Sequence, residues 1–316
     1  MLLLAVFSFL YLQHLLIRSQ QQPDPILDTL ADTKSVLTEA TLRKIEQEVA
    51  HMPPRKGSTA AAGGGLMTSN PPDQQVDKLP KIAIIIDDLG YQLGAGKRSV
   101  FLQGSVTLAV LPFSPYASQL AQLALEQDKE LMLHAPMEPE SHPSWHGGLD
   151  TLMDEKAMRN ELSLMLASLP TVSGMNNHMG SALTQRSEVM AWVMDELAQR
   201  GLYFIDSRTS PLSKAYEQAQ LATLPSAKRD IFLDNERSES AIARQFDKLL
   251  SKARKAGSAI AIGHPYPETL LFLENALQKL EQSGVQLVPI SELLTNPPST
   301  QNRLSQEPAS NVDPAG

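Results

Sequence analysis

The chain has 316 residues, 42% of them hydrophobic and 20% charged, enough for one large α/β domain with extra segments. Its formal net charge of −8 argues against a general nucleic-acid binder. It has no cysteine, which excludes disulfides, thiolate metal sites, a lipid-modified cysteine and a cysteine nucleophile.

The chain opens with MLLLAVFSFLYLQHLLI, Met1 to Ile17. This run is too apolar for a soluble surface and slightly short for a comfortable membrane span. The first basic side chain, Arg18, comes after it, so neither a basic leader region nor a cleavage site is clear. The polar linker that follows offers no core to bury the run. Residues 1–19 are therefore expected to be a signal or an anchor in the cytoplasmic membrane. That would put the body of the protein in the periplasm or elsewhere outside the cytoplasm. Ile26 to Val49 has a weak amphipathic pattern, with Leu42, Ile45 and Val49 on one face. His51 to Asp77 is rich in Pro, Gly, Ser and Ala and lacks periodicity, so residues 20–79 read as weak helix and linker. The tail, 296–316, carries Pro297, Pro298, Pro308 and Pro314 and reads as disordered. One folded domain is expected over 80–295.

Inside that domain apolar runs alternate with helical patterns. The first run, Ile82 to Ile86, is β-branched and unbroken, as in a strand buried on both faces of a parallel sheet. Others are Val106–Leu111, Leu131–Leu133, Val172–Met175, Leu202–Ile205, Ile231–Leu233, Ala259–Ile262 and Val285–Val288. Helices are predicted over Ser114–Gln127, Asp154–Leu169 and Ser187 to Gly201, with a short one at Lys214–Leu221. A further helix carries Ile242, Phe246, Leu249 and Leu250 and is closed by Gly257. The last carries Leu270, Leu273, Leu277 and Leu280 and is closed by Gly284. Seven or eight strands alternating with helices suggest a (β/α) barrel; a doubly wound open sheet is the alternative.

The ends of the runs carry the chemistry. The first ends in Asp87-Asp88, LMLH in His134, GMNNH in His178, YFID in Asp206, IFLD in Asp234 and IAIGH in His264. Successive strand side chains point to opposite faces, so Asp87 and Asp88 should diverge unless the strand is already turning. Any one of these residues alone would read as a satisfied loop group. Six at equivalent positions on one barrel rim point to a catalytic or metal site. The other histidines are weaker: His14 and His51 precede the domain, and His142 and His146 share a loop with Trp145.

A carboxylate with two imidazoles suits catalytic zinc, and also cobalt, nickel, iron or manganese. Such an ion polarises a carbonyl and lowers the pKa of water, a second carboxylate takes the proton, and a histidine opposite protonates the leaving amine. Asp87, Asp88, His134, His178 and His264 could supply these parts. No G-x-S-x-G elbow or P-loop is present.

At IAIIIDDLG, LMLHAPMEP, NNHMGS, FIDSRTS and AIGHP the chain resembles the divergent polysaccharide deacetylase family, within the NodB-like deacetylases, from Lys81 to about Leu294. The resemblance implies a distorted (β/α) barrel and a metal-dependent hydrolase, with zinc as the expected ion, that removes acetyl groups from an envelope glycan or oligosaccharide. It implies Asp87 as catalytic base, Asp88 as ligand and His264 as general acid. Ordinary members take both metal histidines from one H-S/T-x-x-H segment. Here His134 is followed by Ala135, Pro136, Met137 and Glu138, so His178 would replace the second histidine. Glu138, Asn177, Asp206 and Arg208 are the expected substrate-binding residues, with Asp206 in reserve as a ligand. The alternative is a barrel that keeps its metal but serves as a glycan-binding or regulatory module of the envelope.

Overall fold

The computed structural model describes residues 79–141 and 148–294. The apolar N-terminal segment, the linker, the tail, and His142, Trp145 and His146 lie outside the described residues. Among the described residues no helix is long and apolar enough to cross a membrane.

The first strand, β1 (Lys81–Leu89), lies at the centre of a sheet in which every pairing is parallel. On one side follow β2 (Thr107–Val110), β3 (Leu131–Met137), β4 (Gly174–Met179), β5 (Tyr203–Asp206) and β6 (Ser226–Lys228). On the other lie β8 (Ser258–Gly263) and then β7 (Ile231–Phe232). A short β9 (Gln286–Leu287) pairs with the start of β1. This cyclic order is that of a barrel opened between β6 and β7. The chain itself passes through the seam: Arg229 N–H donates to Asp206 O, and Asp230 N–H to Ile260 O. The architecture is thus the distorted (β/α) barrel, not an open doubly wound sheet.

The alternation along β1 explains the two-layered core. Ile82, Ile84 and Ile86 pack outward, among the residues that bury the helices. Ala83 and Ile85 point inward, with Ala109, Met132, Tyr203, Ile205, Ile260 and Ile262. Both faces of the strand are dry, which is why its sequence shows no polar break. Each buried isoleucine contributes about 1.5–3 kcal/mol.

The outer layer follows the sequence closely. The helices are α1 (Leu93–Val100), α2 (Ala117–Glu126), α3 (Glu155–Ser168), α4 (Ser187–Gln199), α5 (Ala215–Leu221), α6 (Glu239–Ala256) and α7 (Pro267–Leu277). Asp154 caps α3 by accepting from Ala157 N–H, and Ser238 caps α6 by accepting from Ala241 N–H. Helix α7 has Pro at its first position, where no N–H is needed. It ends at Leu277, and a separate 3-10 turn, Leu280–Ser283, covers the remainder of the single helix expected there. Helix α1 and strand β6 were not legible in the sequence. Two glycines dilute the α1 pattern, yet Gly96 is needed: a Cβ there would come within 2.5 Å of the Leu120 side chain.

Candidate metal centre

The same alternation aims side chains into the cleft at the C-terminal rim. Asp87 continues the inward parity of Ala83 and Ile85. Asp88 should then face outward, but the strand turns at that point. Its backbone is left-handed (φ 58°), and the pairing with β2 slips between Ile86 and Leu89. Asp tolerates this conformation better than most residues. Gly90 (φ 130°) completes the turn where a Cβ would collide with Ser114. The bend brings both carboxylates to one cup.

The strands carrying His134 and His178 continue past them, so neither is a terminal residue as the sequence suggested. His134 has the parity of Met132 and faces inward. Its register partner on β4 is Asn176, and His178 lies two residues further along the same face. The result is tight. His134 Nε2 is 3.0 Å and His178 Nδ1 is 2.9 Å from Asp88 Oδ1, and the two nitrogens are 3.1 Å apart. Tetrahedral zinc with bonds of about 2.0–2.1 Å sets its ligand atoms about 3.3 Å apart. One atom from each of Asp88, His134 and His178 thus fits the outer face of such a site, and these three form a possible metal centre.

Asn176, fully buried, fixes the orientation. Its Nδ2 donates to Asp87 Oδ1 at 2.8 Å, so its Oδ1 is left to accept from His134 Nδ1 at 2.7 Å. Nδ1 therefore carries a proton, and once Nε2 gives up the proton it shares with Asp88 its lone pair can face an ion. Burial pulls the His134 imidazole down, but the Asp87 charge and the Asp88 hydrogen bond outweigh it and leave its pKa raised. Burial pushes Asp88 up, and the His178 charge with hydrogen bonds from both histidines holds it well below the usual carboxylate range. Asp87 goes the other way. Its burial dominates, and the charges of His134 and His264 with the Asn176 bond only partly offset it, so its pKa is raised.

His264 follows β8, which pairs with β1, and so stands across the cleft from β3 and β4. The carboxylate it bonds is Asp234: Nδ1–H donates to Oδ1 at 2.9 Å, and the backbone N–H donates to Oδ2 at 2.6 Å. Thr269, in the first turn of α7, donates to the same Oδ2 at 2.8 Å. Nε2 is left toward the cleft, 3.8 Å from Asp88 Oδ2. Burial lowers the imidazole pKa, but the Asp234 hydrogen bond and the Asp88, Asp234 and Asp87 charges raise it to about 9.

The remaining expected site residues scatter. Asp206 has the parity of Phe204, which packs outward, and it lies off the cleft. Its carboxylate accepts from Arg208 N–H and Ser213 O–H. Glu138 also lies off the cleft and accepts from Thr151 N–H. Asn177 lines the cleft but braces loops, donating to Met179 O and accepting from Ser207 N–H. Arg208 lines the cleft. Sequence reasoning missed Asn176, the clamp role of Asp234, and Arg229, whose guanidinium donates to Ser207 O and Arg208 O.

The cleft has a volume of about 420 Å³. Three of its lining residues, Asp88, Met179 and Arg208, are non-glycine residues in the left-handed region. Strain of this kind gathers at functional rims.

These features define a distorted (β/α)-barrel protein with a possible Asp/His/His metal centre. The chain belongs to the divergent polysaccharide deacetylase family, whose sequence profile matches residues 84–294. It is similar to an uncharacterised protein of Haemophilus influenzae, 36% identical over 217 residues, covering 68% of this chain and 77% of the relative. It is similar also to the uncharacterised protein YibQ of Escherichia coli, 35% identical over 218 residues, covering 69% and 68%. The crystal structure of ATU2773 from Agrobacterium tumefaciens C58 shares the fold, with a TM-score of 0.64 at 23% identity, covering 82% of this chain and 98% of that one.

Proposed function

We propose that the protein is a metal-dependent hydrolase that removes acetyl groups from a glycan of the cell envelope. The observation that carries this reading is the placing of two proton-transfer groups, Asp87 and His264, around the Asp88, His134 and His178 cluster in one cleft. Family membership supports it. Asp88, His134 and His178 would hold the cation, and their donor set suits zinc. A divalent ion there supplies polarisation of the acetyl carbonyl and a lowered pKa for water.

The chain's own residues do the rest. Asp87, held by Asn176, takes the proton from the attacking water as the new C–O bond forms. Burial raises its pKa in the ion-free cleft. His264 delivers a proton from Nε2 to the departing nitrogen of an N-acetyl group, or oxygen of an O-acetyl group, as the old bond breaks. Acetate and the free amine or alcohol are the products. Asp234 keeps Nδ1–H engaged, so the proton that moves is the one facing the cleft.

The folded part is proposed to work outside the cytoplasmic membrane, on the strength of the apolar Met1–Ile17 run and the Pro-rich linker after it. Recovery of the full-length chain free in the cytosol on fractionation would count against this. The activity is tested by acetate release from N- and O-acetylated oligosaccharides with zinc-loaded protein. Release that disappears in Asp87→Asn is expected. No release from any acetylated glycan, with the ion bound, would favour the non-catalytic binding barrel.

A further inference from the structure

The loop after β5 carries a feature that deacetylation does not use. Arg208 lines the cleft, and its side chain has no hydrogen bond or ion pair among the described residues. The other charged lining groups are engaged. Asp87 and Asp88 face imidazoles, His264 is tied to Asp234, and Arg229 gives two of its five N–H donors to carbonyl oxygens and lies over the Phe232 ring. Arg208 is also built in, not draped over the surface. Its backbone is left-handed (φ 54°), its N–H donates to Asp206 Oδ1, and its carbonyl accepts from Arg229. Beside it, the Ser207 hydroxyl is buried in the same cleft with no partner among the described residues.

A strained, braced arginine next to an unsatisfied buried hydroxyl is an arrangement for an anion. The planar guanidinium fork matches a carboxylate, and the hydroxyl can donate a further bond. The protein as a whole carries a net charge of −8, so an acidic partner is not drawn by the overall field and needs a local fixed cation.

We propose that Arg208, with Ser207, is a specificity determinant that binds a carboxylate on the substrate, so that the preferred glycan is acidic rather than neutral. This rests on the reading of the cleft as a glycan deacetylase site. The test is equilibrium binding of two probes to the full, zinc-loaded chain: N-acetylated chitotetraose, which is neutral, and a hyaluronan tetrasaccharide, which carries the same N-acetylglucosamine with a carboxylate on each alternate sugar. A charge-assisted pair implies tighter binding of the acidic probe by about tenfold to a hundredfold. The preference should shrink as salt is raised. Arg208→Gln should abolish it, and Arg208→Lys, which keeps the charge but not the fork, should keep part of it. Thermal melting of each variant checks the fold. Equal binding of both probes by the wild type, or a preference that survives Arg208→Gln, overturns the proposal. Acetate release is measured in parallel. Arg208-dependent binding without acetate release would sink the deacetylase reading and leave the acidic preference standing. Equal release from both probes, with no preference in binding, would do the reverse.

Discussion

Asn176→Leu is the sharpest perturbation of the candidate site. It keeps the branched shape, adds some bulk, and removes both polar ends of a fully buried side chain. His134 Nδ1–H loses its acceptor at 2.7 Å, and Asp87 Oδ1 loses its donor at 2.8 Å. A buried group left unsatisfied costs about 1–3 kcal/mol, so the pair costs about 2–6 kcal/mol. At about 2–4 °C per kcal/mol for a domain of this size, the melting temperature should fall by about 4–24 °C. The effect on the ion is separate. Without Asn176 Oδ1 to hold its proton on Nδ1, the His134 ring is free to turn or to place the proton on Nε2. Loss of such an orienting partner lowers metal affinity by about 10–100-fold. Chelator competition with zinc measures this directly, and melting scans with and without zinc give the stability term. Asp87 moves too. The Asn176 bond lowers its pKa, so removing the bond raises an already raised value, and the acid limb of any pH–rate profile shifts to higher pH. A variant that melts as predicted yet binds zinc as tightly as the wild type would refute the role given to Asn176 and would weaken the case for His134 as a ligand.

His134→Ala and His178→Ala should each strip the ion while leaving the barrel folded, as read by bound-metal analysis and circular dichroism; full occupancy in His178→Ala would remove it from the ligand set. His264→Ala should keep metal and substrate binding and lose about two to four orders of magnitude in turnover, less on an ester than on an amide. Asp234→Asn should lower the His264 pKa from about 9, because the Asp234 hydrogen bond and charge help to raise it. An acid must carry its proton, so activity falls as pH rises through that pKa, and the alkaline limb of kcat/KM should move to lower pH. The stability that the His264 charge adds beside Asp234 is complete below pH 6.5 and lost as pH rises through about 9, so the melting-temperature gap between wild type and Asp234→Asn should narrow above that range, the bonds from Thr269 and the His264 N–H remaining. An unmoved alkaline limb in Asp234→Asn would mean that another group sets it.

The barrel was legible because its strands are buried on both faces and its helices carry clear caps and stripes. The aspartates and histidines were legible as a set because they cluster at the rim ends of those strands. What misled was parity. The segment Asn176-Asn177-His178 reads as a strand end, with Asn177 as an expected substrate-binding residue. The strand runs on to Met179, and the alternation puts Asn176 and His178 on one face, while Asn177 lines the cleft with its amide engaged by the loops. Asp206 fails for the same reason, sharing the outward face of Phe204. Asp88 is the opposite case, a residue that parity would discard and a left-handed turn restores. The sign of one φ angle is not written in Ile86-Asp87-Asp88-Leu89. The pairing of Asp234 with His264 joins residues 30 apart through β7 and β8, and no local pattern encodes it.

The choice between an enzyme and a barrel that only holds an ion turns on groups that ion binding does not need. A structural ion requires Asp88, His134, His178 and a support such as Asn176. It does not require Asp234, a nearly fully buried carboxylate whose desolvation is costly and is offset only by bonds from His264 and Thr269. Nor does it require Asp87 to be kept buried at a raised pKa beside the ligands. The two groups are tuned in complementary ways. Asp87 is ionised, and so able to take a proton, above its raised pKa. His264 is protonated, and so able to give one, up to about pH 9. A divalent ion at Asp88, His134 and His178 would lower both values, and the two groups stand on two sides of one cleft. On the proposed reading these groups have a use, since hydrolysis of an amide needs a base for the water and an acid for the leaving nitrogen in the same turnover.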